Sequence, residues 1–208
     1  IALEEAGLEF KTQLIRFMKG EHKSPDYKKI NPKGKVPSLV IDGEVLTENV
    51  AIITYLNQRF PEAKLMPEAS DLFARTKQLA DLSFCSSTLH PIVTRIRMPQ
   101  FFANEDAAKH VWEKGCEAMS EYFKLIDERL SKGPWWYGEN WSVIDAYLYW
   151  IYWRVEGADF SVGDYSYFQD HKSRMELRPA VQKALAREAE ALAQLESEGL
   201  VFTPPKIN

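Results

Sequence analysis

The spacing of apolar and polar positions changes character about a third of the way along the chain. Ile1 to Ala6 are good helix formers, and Gly7 suits the left-handed position that closes a helix. No capping residue precedes Ala2, so this first helix is expected to begin upstream of Ile1. Lys11 to Phe17 sets Leu14, Ile15 and Phe17 among polar residues and predicts a strand. Gly20 to Pro32 is polar and lysine-rich, with Pro25 and Pro32, and predicts a loop with at most one short helical turn. Val36-Pro37-Ser38-Leu39-Val40-Ile41 is a proline entering a short apolar run. Asp42-Gly43 is a two-residue hairpin turn, and Glu44 to Thr47 is the returning strand. From Glu48 the apolar positions Val50, Ile53, Tyr55 and Leu56 take helical spacing, up to Pro61.

Pro61 to Ser70 has two prolines and no periodicity, which predicts a linker. From Asp71 onward only helical patterns occur. Leu72, Leu79 and Leu82 open a long helix that Pro91 and Pro99 must bend or end. Ala108, Val111, Gly115, Met119, Tyr122 and Ile126 form the stripe of the next, stopped by Lys132-Gly133-Pro134. Ser142-Val143-Ile144-Asp145 has the spacing of a capping box, with Trp141 and Ala146 at the flanking staple positions. The helix it opens is apolar nearly all round and is therefore expected at the centre of a domain. Two more helices are predicted, at 165–177 and 180–195, and an irregular tail from Gly199 to Asn208. The division is an α/β domain at 1–62, a linker at 63–70 and an all-helical domain at 71–208.

Composition narrows the function classes. At 208 residues the chain can bury a core without disulfides or a structural metal. A formal net charge of -4 argues against nucleic acid as a partner. No apolar run is long enough to cross a bilayer, so no membrane partner is expected. Cys85 and Cys116 are too few for a disulfide scaffold or a multi-cysteine zinc site. No metal site is predicted, and a reducing, cytoplasmic location is the expectation.

Four segments carry a resemblance. Asn31-Pro32-Lys33-Gly34-Lys35-Val36-Pro37, followed by Leu46-Thr47-Glu48-Asn49-Val50-Ala51-Ile52, resembles the glutathione-binding half of the cytosolic glutathione transferases, in particular bacterial members. The Ser142–Asp145 box and Leu177-Arg178-Pro179-Ala180-Val181 resemble two helix junctions of their second domain. Nearly the whole chain is covered, with the pieces in family order. The implied fold is a thioredoxin-like N-terminal domain, here without its first strand, followed by an α-helical bundle.

Glutathione is a tripeptide with a free amino end, free carboxylates and an exposed backbone, and a strand edge can bind such a backbone. The family has a cis-proline at the position of Pro37, which implies that Val36 turns its N–H and C=O outward to glutathione. Taken alone, Pro37 reads as a proline that starts a strand. Glu48 and Asn49 stand at a helix N-terminus, where backbone N–H groups and the dipole attract a carboxylate. The family has an acidic residue followed by Ser or Thr here, so Asn49 is a departure, though its amide can still donate. Both residues would equally serve as helix caps. Lys35, His22 and Lys23 are candidates for the glycyl carboxylate, or a solvated basic loop.

In the second domain, Leu89-His90 resembles an "LH" pair that in bacterial members sets a histidine beside the thiol. Ser83 and Ser87 share its helix face. His90 also reads as a packed histidine before a proline. Arg95 and Arg97 could line a pocket for an anion or lie at the surface. The aromatic residues between Trp135 and Trp153 read as core, and both cysteines as core or half-buried helix residues and not a reactive pair. The family activates glutathione with a Tyr, Ser or Cys near the first strand, a region that would precede Ile1, so no activating residue is assigned. The expectation is a glutathione transferase that uses glutathione as substrate, with a small hydrophobic co-substrate and a homodimeric state. Glutathione-dependent thiol reduction, dehalogenation or isomerisation, or a non-catalytic binding module of the same fold, are the alternatives.

Overall fold

A computed structural model describes residues 1–203. They form two compact units: residues 1–63 with 179–203, and residues 64–178.

The first unit opens with a short helix α1 (Ala2–Glu5). Residues 8–16 then run without helix or strand. The strand expected at Lys11–Phe17 is therefore corrected. A strand needs a ladder partner for its backbone groups, and the one sheet among the described residues is the two-stranded hairpin described below. Side chains hold the end of the segment instead: Arg16 grips Glu198 through Nε to Oε2 at 2.5 Å and Nη2 to Oε1 at 2.7 Å. Tight turns at Phe17–Lys19 and Glu21–Lys23 lead to α2 (Pro25–Ile30). Ser24 caps α2, its hydroxyl accepting from the Tyr27 N–H at 3.1 Å, and Pro25 takes the first helical position where no N–H is needed.

Strands β1 (Ser38–Ile41) and β2 (Glu44–Thr47) pair antiparallel, with Ser38 opposite Thr47 and Ile41 opposite Glu44. Asp42 at φ 52° and Gly43 at φ 84° make the turn with both central residues left-handed, which matches the right-handed twist of the strands. Helix α3 (Asn49–Arg59) follows and buries Ile52 and Leu56. Helix α9 (Pro179–Ser197) belongs to this unit as well. Its Lys183 and Arg187 both pair with the largely buried Glu4 of α1. This differs from the sequence division, which set the last helix with residues 71–178. A helix follows the surface its apolar stripe fits, and these charge pairs draw α9 to α1.

The second unit starts within the expected linker: Leu65 is fully buried and its carbonyl accepts from the Val143 N–H at 2.8 Å. Helix α4 (Leu72–Ser83), capped by Asp71, does not break at Pro91. It runs through a wider π-type turn at Phe84–Leu89 into α5 (His90–Arg97). The wider turn changes the hydrogen-bond spacing just where the proline lacks an N–H. Helices α6 (Glu105–Leu130), α7 (Val143–Glu156) and α8 (Ser166–Glu176) complete the unit.

As expected from its sequence, α7 is buried on nearly every side. Its capping box forms, and Asp145 does more than cap. Oδ2 accepts from the Ser142 N–H at 2.8 Å and its hydroxyl at 3.0 Å. Oδ1 accepts from the Trp136 N–H at 2.7 Å and faces His171 Nε2 at 3.0 Å. Asp145, Ser142 and His171 are all wholly buried, so this network closes the core between α7, α8 and the loop before α7. Residues 199–203 are irregular apart from a turn at Gly199; the rest of the expected tail, 204–208, lies outside the described residues.

Candidate glutathione-binding site

The candidate site is built at one end of the hairpin. The register pairs Ser38 with Thr47 at one end of the hairpin. Val36–Pro37 enters β1 and Glu48–Asn49 leaves β2 at that same end, so two separate sequence motifs flank it. The Val36–Pro37 peptide bond is cis. Val36 lies before β1, outside the ladder, and is 43% exposed.

Two side chains that the sequence did not single out hold this corner. Asn31 is 1% exposed and Tyr27 8%. Asn31 Nδ2 donates to the Lys35 carbonyl at 2.6 Å, and the Tyr27 hydroxyl donates to the same oxygen at 2.8 Å. The Tyr27 hydroxyl also lies 3.0 Å from Ser38 Oγ. Asn31 Oδ1 accepts from the Lys33 N–H at 3.1 Å. The missed signal was Ser24-Pro25, a cap followed by a proline at the first helical position, which makes α2 and aims Tyr27.

Glu48 occupies the N-cap position of α3 but does not cap it. Its carboxylate instead meets Lys33 Nζ at 2.5 Å, and the same ammonium donates to Thr47 Oγ1 at 2.9 Å. Both partners are more than half exposed, so this pair adds little stability. The Glu48 backbone sits at φ 72°, ψ 124°, a sparsely populated region that costs a non-glycine residue on the order of 1–3 kcal/mol. Such strain concentrates at ligand clamps. Here it turns the chain sharply into α3, with Asn49 as its first residue.

His22, Lys23 and Lys35 are brought together on the other side of the Asn31–Lys35 turn. Gly34 makes this possible: at φ +61° it lies so close to the His22 backbone that a Cβ would stand 2.8 Å from the His22 carbonyl oxygen. His22 stacks on Phe17 with ring centroids 4.3 Å apart. Burial, and then the charges of Lys23 and Lys35, lower its pKa, so the lysines carry the positive charge at neutral pH.

His90 belongs to the second unit. Its Nδ1 lies 2.9 Å from the Tyr147 hydroxyl and its ring is 4.4 Å from that of Trp150. Burial, and then the charge of Arg154, lower its pKa and keep the imidazole neutral. Ser83 and Ser87 bond to each other, the Ser87 hydroxyl donating to the Ser83 carbonyl at 2.5 Å. Arg97 Nη1 donates to the Arg154 carbonyl at 2.9 Å, while Arg95 lies over the Phe102 ring. The cysteines are free thiols, Cys85 buried and Cys116 half-buried. Burial pushes the Cys85 thiol far up and that of Cys116 to about 11. Among the described residues no group of three His, Cys, Asp or Glu side chains could hold a metal ion. Nor is any helix long and apolar enough to cross a membrane.

Comparison with known proteins follows this geometry. Residues 1–59 match the family model described as glutathione S-transferase, N-terminal domain. A sphingomonad glutathione S-transferase, solved in complex with glutathione, superposes with a TM-score of 0.77 at 30% identity, over 90% of this chain and 91% of that one. The chain belongs to the glutathione transferase family. Among curated members of the family, glutathione S-transferase GstA of Escherichia coli O157:H7 is 29% identical over 90% of this chain and 91% of its own length. A maleylacetoacetate isomerase of Pseudomonas aeruginosa is 26% identical over 71% of this chain and 70% of its own. The transferase fold class holds too: a thioredoxin-like N-terminal half, here with two strands, and a helical second half.

Proposed function

We propose that the protein binds glutathione at the end of the β1–β2 hairpin and attaches its thiol to a small hydrophobic electrophile. The observation that carries this reading is the cis Val36–Pro37 bond entering the same end of the hairpin from which Glu48–Asn49 leaves into α3. Val36 offers backbone N–H and C=O to the central residue of glutathione, as an added strand would. The start of α3, with Asn49 and the turn at Glu48, takes the γ-glutamyl end, whose carboxylate suits the positive helix N-terminus. Lys35, with His22 and Lys23 behind it, takes the glycyl carboxylate at the basic corner. The likeness to a sphingomonad transferase solved with glutathione supports the ligand.

The chemistry is thiol addition. A thiolate is the nucleophile, so catalysis requires a donor that holds the sulfur deprotonated. Cys85 and Cys116, with raised pKa values, are not assigned that role. In the family resemblance that donor is a Tyr, Ser or Cys near the first strand. His90 is proposed to act near the thiol or the second substrate as a neutral imidazole. A homodimer and a cytoplasmic location belong to the same proposal. The likeness to maleylacetoacetate isomerase favours a second reading, in which the same bound thiolate adds to a double bond and leaves again after isomerisation.

The test is a glutathione titration by calorimetry, on the natural protein and on Glu48→Ala/Asn49→Ala. The natural protein is expected to bind in the range of millimolar or tighter. The double variant is expected to bind at least about tenfold more weakly, as for the loss of a charge-assisted contact, without loss of thermal stability. Unchanged affinity in the variant would rule out the assignment of Glu48 and Asn49, and no binding by the natural protein would remove the transferase reading.

A further inference from the structure

The Val36 arm of the candidate site is held by a single buried side chain, Asn31. Asn31 donates through Nδ2 to the Lys35 carbonyl, the peptide oxygen immediately before Val36. Through Oδ1 it accepts from the Lys33 N–H. The side chain of Lys33 then reaches Thr47 and Glu48, the entry to α3. The Asn31 N–H is used in α2, donating to the Tyr27 carbonyl at 2.8 Å, and its own carbonyl accepts from the Gly34 N–H at 2.8 Å. Asn31 thus ties the 31–35 turn to α2. Tyr27 supplies the second donor to the Lys35 carbonyl.

We propose that Asn31, assisted by Tyr27, is a positioning residue for glutathione: it orients the Lys35–Val36 backbone. The inference rests on the glutathione reading above. Two donors converging on the Lys35 oxygen fix the plane of the peptide that carries the Val36 N–H. That N–H can pair with the ligand backbone only in one orientation of this plane, since a peptide unit turns as a rigid group. Asn is the residue the position demands. It offers a donor and an acceptor from one planar amide, and Asp of the same shape offers acceptors only.

Asn31→Asp keeps the volume, keeps acceptance from the Lys33 N–H, and turns an acceptor toward the Lys35 oxygen. Tyr27→Phe keeps the ring and removes only the second donor. The measurement is the glutathione dissociation constant by calorimetry, with melting temperature recorded alongside, and two ligands are compared. One is glutathione; the other is glutathione with its cysteinyl carbonyl replaced by a thioamide C=S, a much weaker acceptor for the Val36 N–H.

The natural protein is expected to prefer glutathione over the thioamide form. Asn31→Asp is expected to bind glutathione about tenfold or more weakly, in the range of one buried hydrogen bond, and to lose most of that preference. Tyr27→Phe is expected to show the same pattern at a severalfold level. A variant that melts lower but keeps both affinity and preference, measured well below its melting point, would show Asn31 to be merely structural and overturn the inference. If Asn31→Asp does not fold, Tyr27→Phe decides by the same comparison. If the natural protein binds glutathione yet has no preference between the two ligands, the inference falls and the site reading stands. If the natural protein does not bind at all, the site reading falls first.

Discussion

At the scale of single residues, environment decides which reactive-looking groups can react. Cys116 lies half-buried on α6 with its thiol pushed up to about 11, and Cys85, wholly buried, is pushed further. At pH 8 the thiolate fraction of Cys116 is roughly a hundredfold or more below that of an ordinary cysteine. Both thiols are therefore expected to resist a disulfide reagent such as dithiobisnitrobenzoate in the native protein and to react on unfolding. Rapid release of the chromophore from native protein would contradict this. The sequence already read both cysteines as core or half-buried helix residues, and Cys85 is buried and Cys116 half-buried. It could not show Asn31 or Tyr27 at work. Both lie in a short polar stretch without periodicity, and their role depends on an oxygen that only the folded turn presents to them. His90 was singled out by its neighbours in sequence; its contacts with Tyr147 and Trp150 come from a helix 57 positions away, which no local pattern reveals.

At the scale of elements, α7 and the hairpin were the most legible pieces, and for the same reason. Each is specified by a start signal and a periodicity that agree: the Ser142–Asp145 box with an apolar helix, the Asp42-Gly43 turn with two short strands. The segment at 11–17 failed because apolar spacing says nothing about whether a partner strand is there to pair with. The α4–α5 helix was read as bent or ended by Pro91 and Pro99; a π-type turn precedes Pro91, and the helix ends at Arg97, before Pro99. Asp145 anchors the best-specified element, and its oxygens serve Ser142, Trp136 and His171 at once. Asp145→Ala leaves those buried donors without an acceptor and is expected to cost about 3–5 kcal/mol, and Asp145→Asn less. Urea denaturation followed by tryptophan fluorescence measures both. A loss below about 1 kcal/mol for the alanine variant would show the network to be dispensable.

At the scale of the whole molecule, the division into two parts was legible from the change of composition near residue 62, but the place of the last helix was not. Its contacts with α1 and with Arg16 join positions nearly two hundred residues apart, and they rest on charge pairs that leave no periodic trace. The Arg16–Glu198 pair carries a pH dependence. The two hydrogen bonds from Arg16 hold the Glu198 carboxyl down at about 2, against an ordinary 4.5. A depressed folded-state pKa stabilises above the unfolded value and stops doing so as pH falls through the folded one. This contribution is therefore full above pH 5 and lost progressively from about pH 4.5 to 2. Between pH 5 and 2.5 the melting temperature of Glu198→Gln is expected to fall less than that of the natural protein. Equal falls would show that the pair does not couple to folding.

The return of α9 also sets an order of events during synthesis. Residues 64–178 leave the ribosome in one uninterrupted run, and everything that their unit packs within this stretch is then at hand. The unit that carries the candidate site is made in two instalments, its hairpin early and its last helix only after the other unit has been completed. A nascent chain arrested near residue 100 therefore holds Val36, Glu48 and Asn49 without α9, the helix that braces α1 and Arg16. The part of the chain that is translated first is the part whose folding must wait longest.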